Sequence, residues 1–466
     1  MMFPGITWAY WLTLHGLVTV VAVLFYVVAS HVNHQRRHPS AAIAWVLFIL
    51  LVPYLALPAF LTFGSRKLPR PRAAAAPPSV ETETSAPWAI QTILALGQPV
   101  PAAYEDLHVH ADGHEALAAL WRAIDEARTS IDLCTFIIGR DAIGDAVIAR
   151  LSAKARAGVK VRLLLDGLGN LMAGRPRLRS LVEAGGEVRL FVPPLHSPLK
   201  GRTNLRDHRK MLIADAGQTE QRLWCGGRNL AADYFNGRPG AAPWRDLSFD
   251  LSGSVVDQAS AMFARDWAFA GGQRPSLTAP QADDPLWPAT GAQLIASGPD
   301  QIDDTVYAVL VTAAYRARRR IALITPYFVP DAALLMALCL AARRGVVVDL
   351  LMPAHSNHRL SDVARARALR TLDAAGARIW LVPHMLHAKL AVVDDVLALA
   401  GSANLDSRSL FLNYELMMAF HNPADVARFA AWFERERAEA RLRTPKAPGL
   451  LRDVAEGLVL WVGFQL

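Results

Sequence analysis

Cysteine is scarce in this chain of 466 residues, which holds only Cys134, Cys225 and Cys339 and has no Cys-x-x-Cys pair. This scarcity excludes a disulfide scaffold and a zinc finger, and it fits a reducing compartment. Charged residues are also few, at 19% of the chain against about 25% in an ordinary soluble domain. Because 53% of the residues are hydrophobic, the composition excludes a disordered chain and indicates contact with a membrane.

Acidic residues are fewer than basic ones, 41 against 49, which gives a formal net charge of +8. A basic chain favours anionic partners, either nucleic acid or anionic lipid. Residues 6–30 and 41–64 contain no Asp, Glu, Lys or Arg, and each segment is long enough to cross a hydrocarbon core of about 30 Å. These segments favour lipid and predict an integral membrane protein. A cleaved signal peptide is the alternative for the first segment, but no basic residue precedes it.

Basic residues flank the second apolar segment unequally. Arg36 and Arg37 precede it, whereas four basic residues follow it between positions 66 and 72. Since positive charge favours the cytoplasmic side, we predict two spans with the N-terminus and the rest of the chain in the cytoplasm. Residues 65–105 are rich in proline and alanine, which predicts a solvated linker, with folded structure starting near Glu105.

The rest of the chain is duplicated. Residues 127–133 and 157–164 resemble residues 317–323 and 344–351, at offsets of 190 and 187 positions. Each copy alternates helical stretches with apolar strands, which predicts an α/β fold built around largely buried sheets.

The C-terminal tail has apolar residues on one helical face, after a basic stretch. That face comprises Leu450, Leu451, Val454, Leu458, Trp461 and Val462. The pattern predicts an amphipathic helix at the membrane interface, with an ordinary core helix as the alternative. The predicted parts are therefore a transmembrane hairpin (1–64), a linker (65–105), repeat 1 (106–285), repeat 2 (286–445) and a membrane-interface tail (446–466).

Each copy contains the motif His-x-Lys-x4-Asp, followed by a glycine-containing segment that ends in asparagine. The residues are His208, Lys210, Asp215 and Asn229 in the first copy, and His387, Lys389, Asp394 and Asn404 in the second. On a strand the histidine and lysine project together, and such a pair can bind a phosphate and attack its phosphorus. The aspartate, seven positions after the histidine, is predicted to face the other way and to be a structural group at a strand end.

A histidine nucleophile needs a carboxylate on its other ring nitrogen to fix its tautomer. Glu415 and Asp246 are the candidates, since they stand 28 residues after His387 and 38 residues after His208. Histidine clusters also bind metals, but the neighbouring lysines would repel a cation, so we expect no metal and no cofactor. Walker-type loops are absent, which argues against a nucleotide triphosphatase.

The duplicated motif resembles that of the phospholipase D superfamily, and several segments look like those of bacterial cardiolipin synthases. These segments are Ala44-Trp45, Phe63-Gly64, Thr325-Pro-Tyr-Phe-Val-Pro330 and Asn404-Leu-Asp-Ser-Arg-Ser-Leu. The likeness covers nearly the whole chain. It departs at Gly227-Arg228, where the family usually has Gly-Ser or Gly-Met before the asparagine.

The resemblance implies two phospholipase D-like repeats with mixed β-sheets flanked by helices. They would be related by a pseudo-twofold axis and preceded by a two-helix transmembrane hairpin in the bacterial inner membrane. It also implies metal-independent transphosphatidylation, in which His208 attacks phosphatidylglycerol and forms a phosphatidyl-histidine. His387 would protonate the leaving glycerol and then deprotonate a hydroxyl of a second phosphatidylglycerol, which yields cardiolipin. The groups that hold the phosphate would be Lys210, Lys389, Asn229 and Asn404, with a hydroxyl from Ser402.

Three other functions fit parts of the sequence. One is a phospholipase D or a phosphatidyltransferase that uses another donor or alcohol. Another is a membrane-tethered nuclease, which the basic charge permits but the apolar segments disfavour. The third is a catalytically silent scaffold, which the two intact His-Lys pairs disfavour.

Overall fold

The computed structural model describes residues 8–32, 39–64, 87–193, 202–272, 288, 291–301, 303–445 and 447–462. The chain forms two compact units, one made of residues 1–73 and 192–205 and the other of residues 74–191 and 206–466. The second unit contains both copies of the histidine motif.

The first unit contains three apolar helices, α1 (Trp8–Val32), α2 (Pro39–Leu51) and α3 (Pro53–Phe63). Within the described residues, α1 is the helix that is long and apolar enough to cross a membrane, with a mean hydropathy of 2.0 over Thr13–Ser30. The predicted second span over 41–64 comprises two helices, α2 and α3, and a kink at Pro53 is expected from the sequence. The helix breaks at Val52 because Pro53 lacks an N–H and its ring clashes with the preceding turn.

Helix α4 (Trp88–Ala95) lies inside the segment predicted as a linker. Its Ala89, Ile90 and Ile93 are fully buried. The prediction that folded structure starts near Glu105 is therefore wrong, because apolar side chains at helical spacing follow the proline-rich stretch directly.

The first repeat is built on a mixed sheet covered by helices. Its strands are β1 (Glu105–Val109), β2 (Ser130–Thr135), β3 (Lys160–Asp166), β4 (Glu187–Phe191), β5 (Arg206–Asp207), β6 (Met211–Ala214), β7 (Arg222–Gly226) and β8 (Ser248–Ser252). Its helices are α5 (Gly113–Glu126), α6 (Ala142–Arg156), α7 (Gly167–Met172), α8 (Arg179–Glu183) and α9 (Val255–Ala270). All of these strands except β5 form a seven-stranded sheet in the order β1-β8-β7-β6-β2-β3-β4.

The second repeat has the same plan. Its strands are β9 (Ala292–Ser297), β10 (Arg320–Ile324), β11 (Phe328–Val329), β12 (Val347–Pro353), β13 (Arg378–Val382), β14 (Leu390–Val393), β15 (Leu397–Gly401), β16 (Leu405–Asp406), β17 (Asn413–Phe420) and β18 (Arg441–Leu442). Its helices are α10 (Thr305–Arg316), α11 (Ala332–Arg343), α12 (Arg359–Ala374), α13 (Ser407–Phe411), α14 (Pro423–Arg437) and α15 (Leu450–Val462).

The strand orders of the two sheets match. In the second sheet the order β9-β17-β15-β14-β10-β12-β13 repeats that of the first, strand for strand. In each sheet three neighbouring strands are parallel, β2-β3-β4 and β10-β12-β13, and the other strands of these two orders pair antiparallel. The predicted α/β fold with duplicated mixed sheets is thus confirmed.

Equivalent glycines turn the chain from helix to parallel strand in both repeats. Gly158 follows α6 with φ +89° and Gly345 follows α11 with φ +91°. Other residues are strained in this left-handed region, whereas glycine adopts it freely and ends the helix there.

Two short parallel pairings join the repeats. Strand β5 pairs with the start of β17, and Arg245 forms a bridge with Leu386. Each pairing lies immediately before one of the two motif histidines. Residues of one repeat are thereby brought beside the motif of the other.

The motif aspartates lie at strand ends. Asp215 follows β6 with φ +52°, and its carboxylate accepts the backbone N–H groups of Arg128, Thr129 and Ser130. Asp394 follows β14 with φ +51° and accepts the N–H groups of residues 318–320 in the same way. Each aspartate anchors the chain at the entrance to the neighbouring strand, β2 or β10.

We expect Asp215→Ala to lower the free energy of unfolding by roughly 2–4 kcal/mol, because three backbone donors lose their acceptor. Asp215→Asn keeps one acceptor oxygen and tolerates positive φ, so it should lose less. Thermal unfolding of the two purified variants in detergent checks the order. A variant of normal stability that has lost turnover would contradict a purely structural role.

Candidate active site

The backbone of each motif pairs with the other repeat. The His208 N–H donates to the carbonyl of Tyr414 at 2.9 Å, and the His387 N–H donates to the carbonyl of Arg245 at 2.7 Å. Each acceptor residue immediately precedes a candidate carboxylate in the chain. These backbone hydrogen bonds therefore place Glu415 beside His208 and Asp246 beside His387.

The side-chain contacts also cross from one repeat to the other. His208 Nδ1 lies 3.0 Å from both carboxylate oxygens of Glu415, and His387 Nδ1 lies 2.7 Å from Asp246 Oδ2. All four residues are buried. The sequence separations had related each carboxylate to the histidine of its own repeat, whereas the structure pairs it with the histidine of the other. Neither repeat alone therefore holds a complete histidine–carboxylate pair.

The His-x-Lys segments are extended but lie just before strands β6 and β14 rather than on them. Lys210 Nζ donates to the carbonyl of its own histidine, His208, at 2.6 Å. Lys389 Nζ lies 2.7 Å and 3.0 Å from the two ring nitrogens of His387. Each lysine thus lies beside its histidine, but the strand on which the sequence places the pair begins one residue after the lysine.

Burial shapes the charges of the site. It lowers the pKa of Lys210 to about 8 and that of Lys389 to about 7. Burial, reinforced by Lys389, lowers the pKa of His387 to about 3, and burial also lowers the pKa of His208. Both imidazoles are therefore neutral near pH 7.

Both carboxylates stay ionised in spite of their burial. Burial by itself would raise the pKa of Asp246, but His387 and Lys389 lower it to about 2. The pKa of Glu415 is lowered likewise, because His208 and Lys210 outweigh the effect of burial. A neutral imidazole beside a carboxylate donates its Nδ1–H, which leaves Nε2 with the lone pair.

The two carboxylates are held differently. Ser402 and Ser409 donate their hydroxyls to Glu415, Ser402 at 2.6 Å. In the first repeat Gly227 takes the place of Ser402, and a Cβ there would lie 2.2 Å from Asp246 Oδ1. The lack of a side chain at Gly227 thus makes room for Asp246. Ser402, predicted as a catalytic group, contacts the orienting carboxylate in this structure.

Arg228 fills the place that Ala403 has in the second repeat. It is fully buried, donates to the carbonyl of Tyr234 and to Ser248 Oγ, and its charge helps to lower the pKa of Asp246. A buried cation therefore supports Asp246, whereas hydroxyls support Glu415.

The two motif asparagines are buried. Asn229 Nδ2 donates to the hydroxyl of Tyr234 at 2.7 Å, and Asn404 bonds through its side chain to Asp406. Among the described residues, the Oδ1 atoms of both asparagines lack a hydrogen-bond partner. Each therefore offers a polar atom to a substrate.

Aromatic rings surround the two histidines unequally. Tyr234, Trp244 and Tyr327 lie with ring centroids 5.2, 5.8 and 6.4 Å from that of His387. Phe136 lies 5.2 Å from His208. Sequence reasoning missed these rings and Ser409. Tyr327 and Ser409 stand inside segments that were noted for their resemblance, and Trp244 is two positions before Asp246.

Donors suitable for a metal meet elsewhere, where His108, His110 and Asp250 offer ligand atoms within 4.8 Å of one another. Arg222 already donates to Asp250 at 2.7 Å, and its charge opposes a cation there. We assign this cluster no part in the chemistry of the site.

We expect Glu415→Gln and Asp246→Asn each to lower turnover roughly 100- to 10,000-fold, because an amide keeps the shape but no longer fixes the tautomer of the facing histidine. Steady-state kinetics on folded variants checks this. Glu434→Gln, at a partly exposed carboxylate that pairs with Arg437, is the matched control and should keep normal turnover. Turnover within twofold of the parent for Glu415→Gln would overturn the pairing described above.

A family model described as "Cardiolipin synthase, PLD-like domain" matches residues 120–267 and 310–437, and one described as "Phospholipase_D-nuclease N-terminal" matches residues 18–65. Cardiolipin synthase A of Pseudomonas fluorescens (strain SBW25) is 33% identical over 431 residues, which cover 87% of this chain and 86% of that protein. Cardiolipin synthase A of Pseudomonas aeruginosa (strain PAO1) is 31% identical over 457 residues, 92% of this chain and 91% of that protein.

Among solved structures, phosphatidylserine synthase of Haemophilus influenzae Rd KW20 matches with a TM-score of 0.62 at 12% identity, over 81% of this chain and 100% of that one. At this identity the likeness shows the fold alone. The repeated family match and the relatives that align over most of both chains show more. The chain belongs to the cardiolipin synthase family of proteins with phospholipase D-like domains.

Proposed function

We propose that this protein is a phosphatidyltransferase that converts two molecules of phosphatidylglycerol into cardiolipin and glycerol. The observation that carries the proposal is the pair of buried histidines, each held by a carboxylate from the other repeat and accompanied by a buried lysine. Two such histidines suit a double displacement at phosphorus, because one can attack while the other moves protons.

In the first step, His208 Nε2 attacks the phosphorus of phosphatidylglycerol. An N–P bond forms, the bond from phosphorus to the glycerol oxygen breaks, and His387 supplies the proton to the leaving glycerol. In the free enzyme Lys389 opposes protonation of His387. The bound phosphate offsets the lysine charges and so raises the pKa of His387, which makes it a proton donor when substrate is present. The choice of His208 as nucleophile rests on family precedent.

In the second step, neutral His387 takes the proton from a terminal hydroxyl of a second phosphatidylglycerol. The resulting oxygen attacks phosphorus, the N–P bond to His208 breaks, and cardiolipin leaves. One phosphodiester replaces another of similar energy, so no high-energy donor is needed. Water must be kept from the phosphatidyl-histidine, and the rings of Tyr234, Trp244 and Tyr327 support such exclusion.

The remaining site residues would bind the phosphate or orient the histidines. Lys210 and Lys389 would bind the non-bridging oxygens of the phosphate, and Asn229 and Asn404 would complete the site with their amide groups. Glu415 and Asp246 orient the histidines. Ser402 acts through Glu415 and is a positioning residue.

We further propose that the protein lies in the bacterial inner membrane as a multi-pass protein with its catalytic unit in the cytoplasm. Helix α1 supports one crossing, and the apolar helices α2 and α3 support a second, interrupted one. The basic residues between positions 66 and 72 support the cytoplasmic side. A membrane location brings the enzyme to a lipid substrate.

The proposal is tested by supplying phosphatidylglycerol in mixed micelles with EDTA present and reading the products by mass spectrometry. We expect cardiolipin and free glycerol in equal amounts, undiminished by EDTA. We expect His208→Ala and His387→Ala to abolish both products while the protein stays folded. His114→Ala, at an exposed histidine in α5, is the control and should leave synthesis unchanged. Phosphatidic acid alone would indicate that water is the acceptor, as in a phospholipase or in a synthase that lacks its true co-substrate.

The pH dependence follows from the two lysines. As the pH rises through about 7 and about 8, Lys389 and Lys210 lose the charges that bind phosphate, so kcat/KM should fall on the alkaline side. On the acid side kcat/KM should not yet fall as the pH drops through 6.5. The reason is that burial lowers the pKa of His208, so its imidazole stays neutral there.

The profile of kcat/KM against pH checks this, with Lys389→Arg as the informative variant. Its guanidinium stays charged, so the part of the alkaline fall that Lys389 causes should disappear even if the maximum drops. A parent profile that stays flat to about pH 9.5 would contradict the assignment of the lysines.

A further inference from the structure

The C-terminal helix α15 is attached to α12 through its acidic residues. Asp453 pairs with Arg367 at 3.0 Å and with Arg370 at 3.1 Å, and Glu456 pairs with Arg370 at 2.7 Å. Glu456 is almost completely buried. The polar side of this amphipathic helix is therefore used for contact with the protein.

The described apolar residues at the start of α15 are exposed; the side chains of Leu458, Trp461 and Val462 lie outside the described part of the chain. Leu450, Leu451 and Val454 are 80%, 88% and 52% exposed. A core helix would bury these residues and present its acids to water. The arrangement is the reverse, which disfavours the core-helix interpretation of this tail.

Helix α12 extends the exposed apolar surface. The first turns of α12 carry two more exposed apolar residues, Leu360 at 57% and Val363 at 36%. Val363 stands four and seven positions before Arg367 and Arg370, and Leu360 stands seven positions before Arg367. Both therefore lie on the side of α12 that carries the ion pairs with α15. We call these five residues the α12–α15 face: Leu360, Val363, Leu450, Leu451 and Val454.

Basic residues accompany this face. Arg359 is exposed and precedes Leu360. Arg452 follows Leu451 and pairs with Glu456 at 3.0 Å, with a side chain that is still 75% exposed. Apolar residues bordered by arginine suit the interface of an anionic bilayer, where the apolar groups enter the acyl boundary and the arginines meet phosphate headgroups. Two copies of this face would instead bring like charges together.

We propose that the α12–α15 face is a lipid-contact surface that rests on an anionic bilayer. The proposal depends on the membrane location proposed above and not on the proposed reaction. With this face the catalytic unit would contact the bilayer directly, through residues that are separate in sequence from the N-terminal helices.

The test uses the full chain reconstituted in vesicles. The three native cysteines are buried, so a new surface cysteine can be labelled selectively with an environment-sensitive dye. Val454→Cys probes the face, and Val182→Cys on α8 is the matched control, because Val182 is similarly exposed at 56%. In vesicles containing phosphatidylglycerol, the dye at position 454 should shift to the blue and be quenched by nitroxide-labelled lipid, whereas the dye at 182 should not.

Two results would overturn the proposal. One is a dye at position 454 that stays as exposed to water as the dye at 182. The other is a dye at 454 that is shielded from water but not quenched by labelled lipid, which would indicate a second copy of the chain on the face. The reaction is judged separately: lipid quenching at 454 without any cardiolipin synthesis would refute the proposed function and leave the lipid surface standing.

Discussion

The exchange of carboxylates between the two repeats is the interaction on which the rest of the site depends. Glu415 reaches His208, and Asp246 reaches His387, across the boundary between the repeats. The backbone pairings beside them set these distances, because each histidine N–H bonds to the residue just before the other repeat's carboxylate. Burying either carboxylate without its partner would be costly. Association of the repeats and assembly of the chemistry are thus one physical requirement.

The same burial explains the charge state of the site. Removal from water lowers the pKa values of the two lysines. Asp246 remains charged in spite of its own burial because His387, Lys389 and Arg228 lower its pKa. The two halves reach this state by different means. Hydroxyls of Ser402 and Ser409 hold Glu415, whereas Gly227 gives Asp246 room and buried Arg228 supports it. The repeats are therefore equivalent in fold and distinct in electrostatics.

The fold keeps these groups rigid. The histidine segments lead into central strands of two matched sheets, and Asp215 and Asp394 clamp the ends of those strands. Amphipathic and apolar elements lie away from this centre along the chain, in the N-terminal helices and on the α12–α15 face. The buried site is thus built around strands, and the exposed apolar surface belongs to helices.

The sequence by itself determined the duplication, the α/β class and the chemical groups of the site, because alternating apolar patterns and a repeated motif depend on local spacing. It did not determine which carboxylate meets which histidine, since counting residues relates each to its own repeat. Helix α4 was missed because composition averaged over a long proline-rich window hides a short helix. Ser409 and the aromatic rings come together only after folding. Contacts between residues distant in the chain are decided by tertiary packing, because no local pattern encodes them.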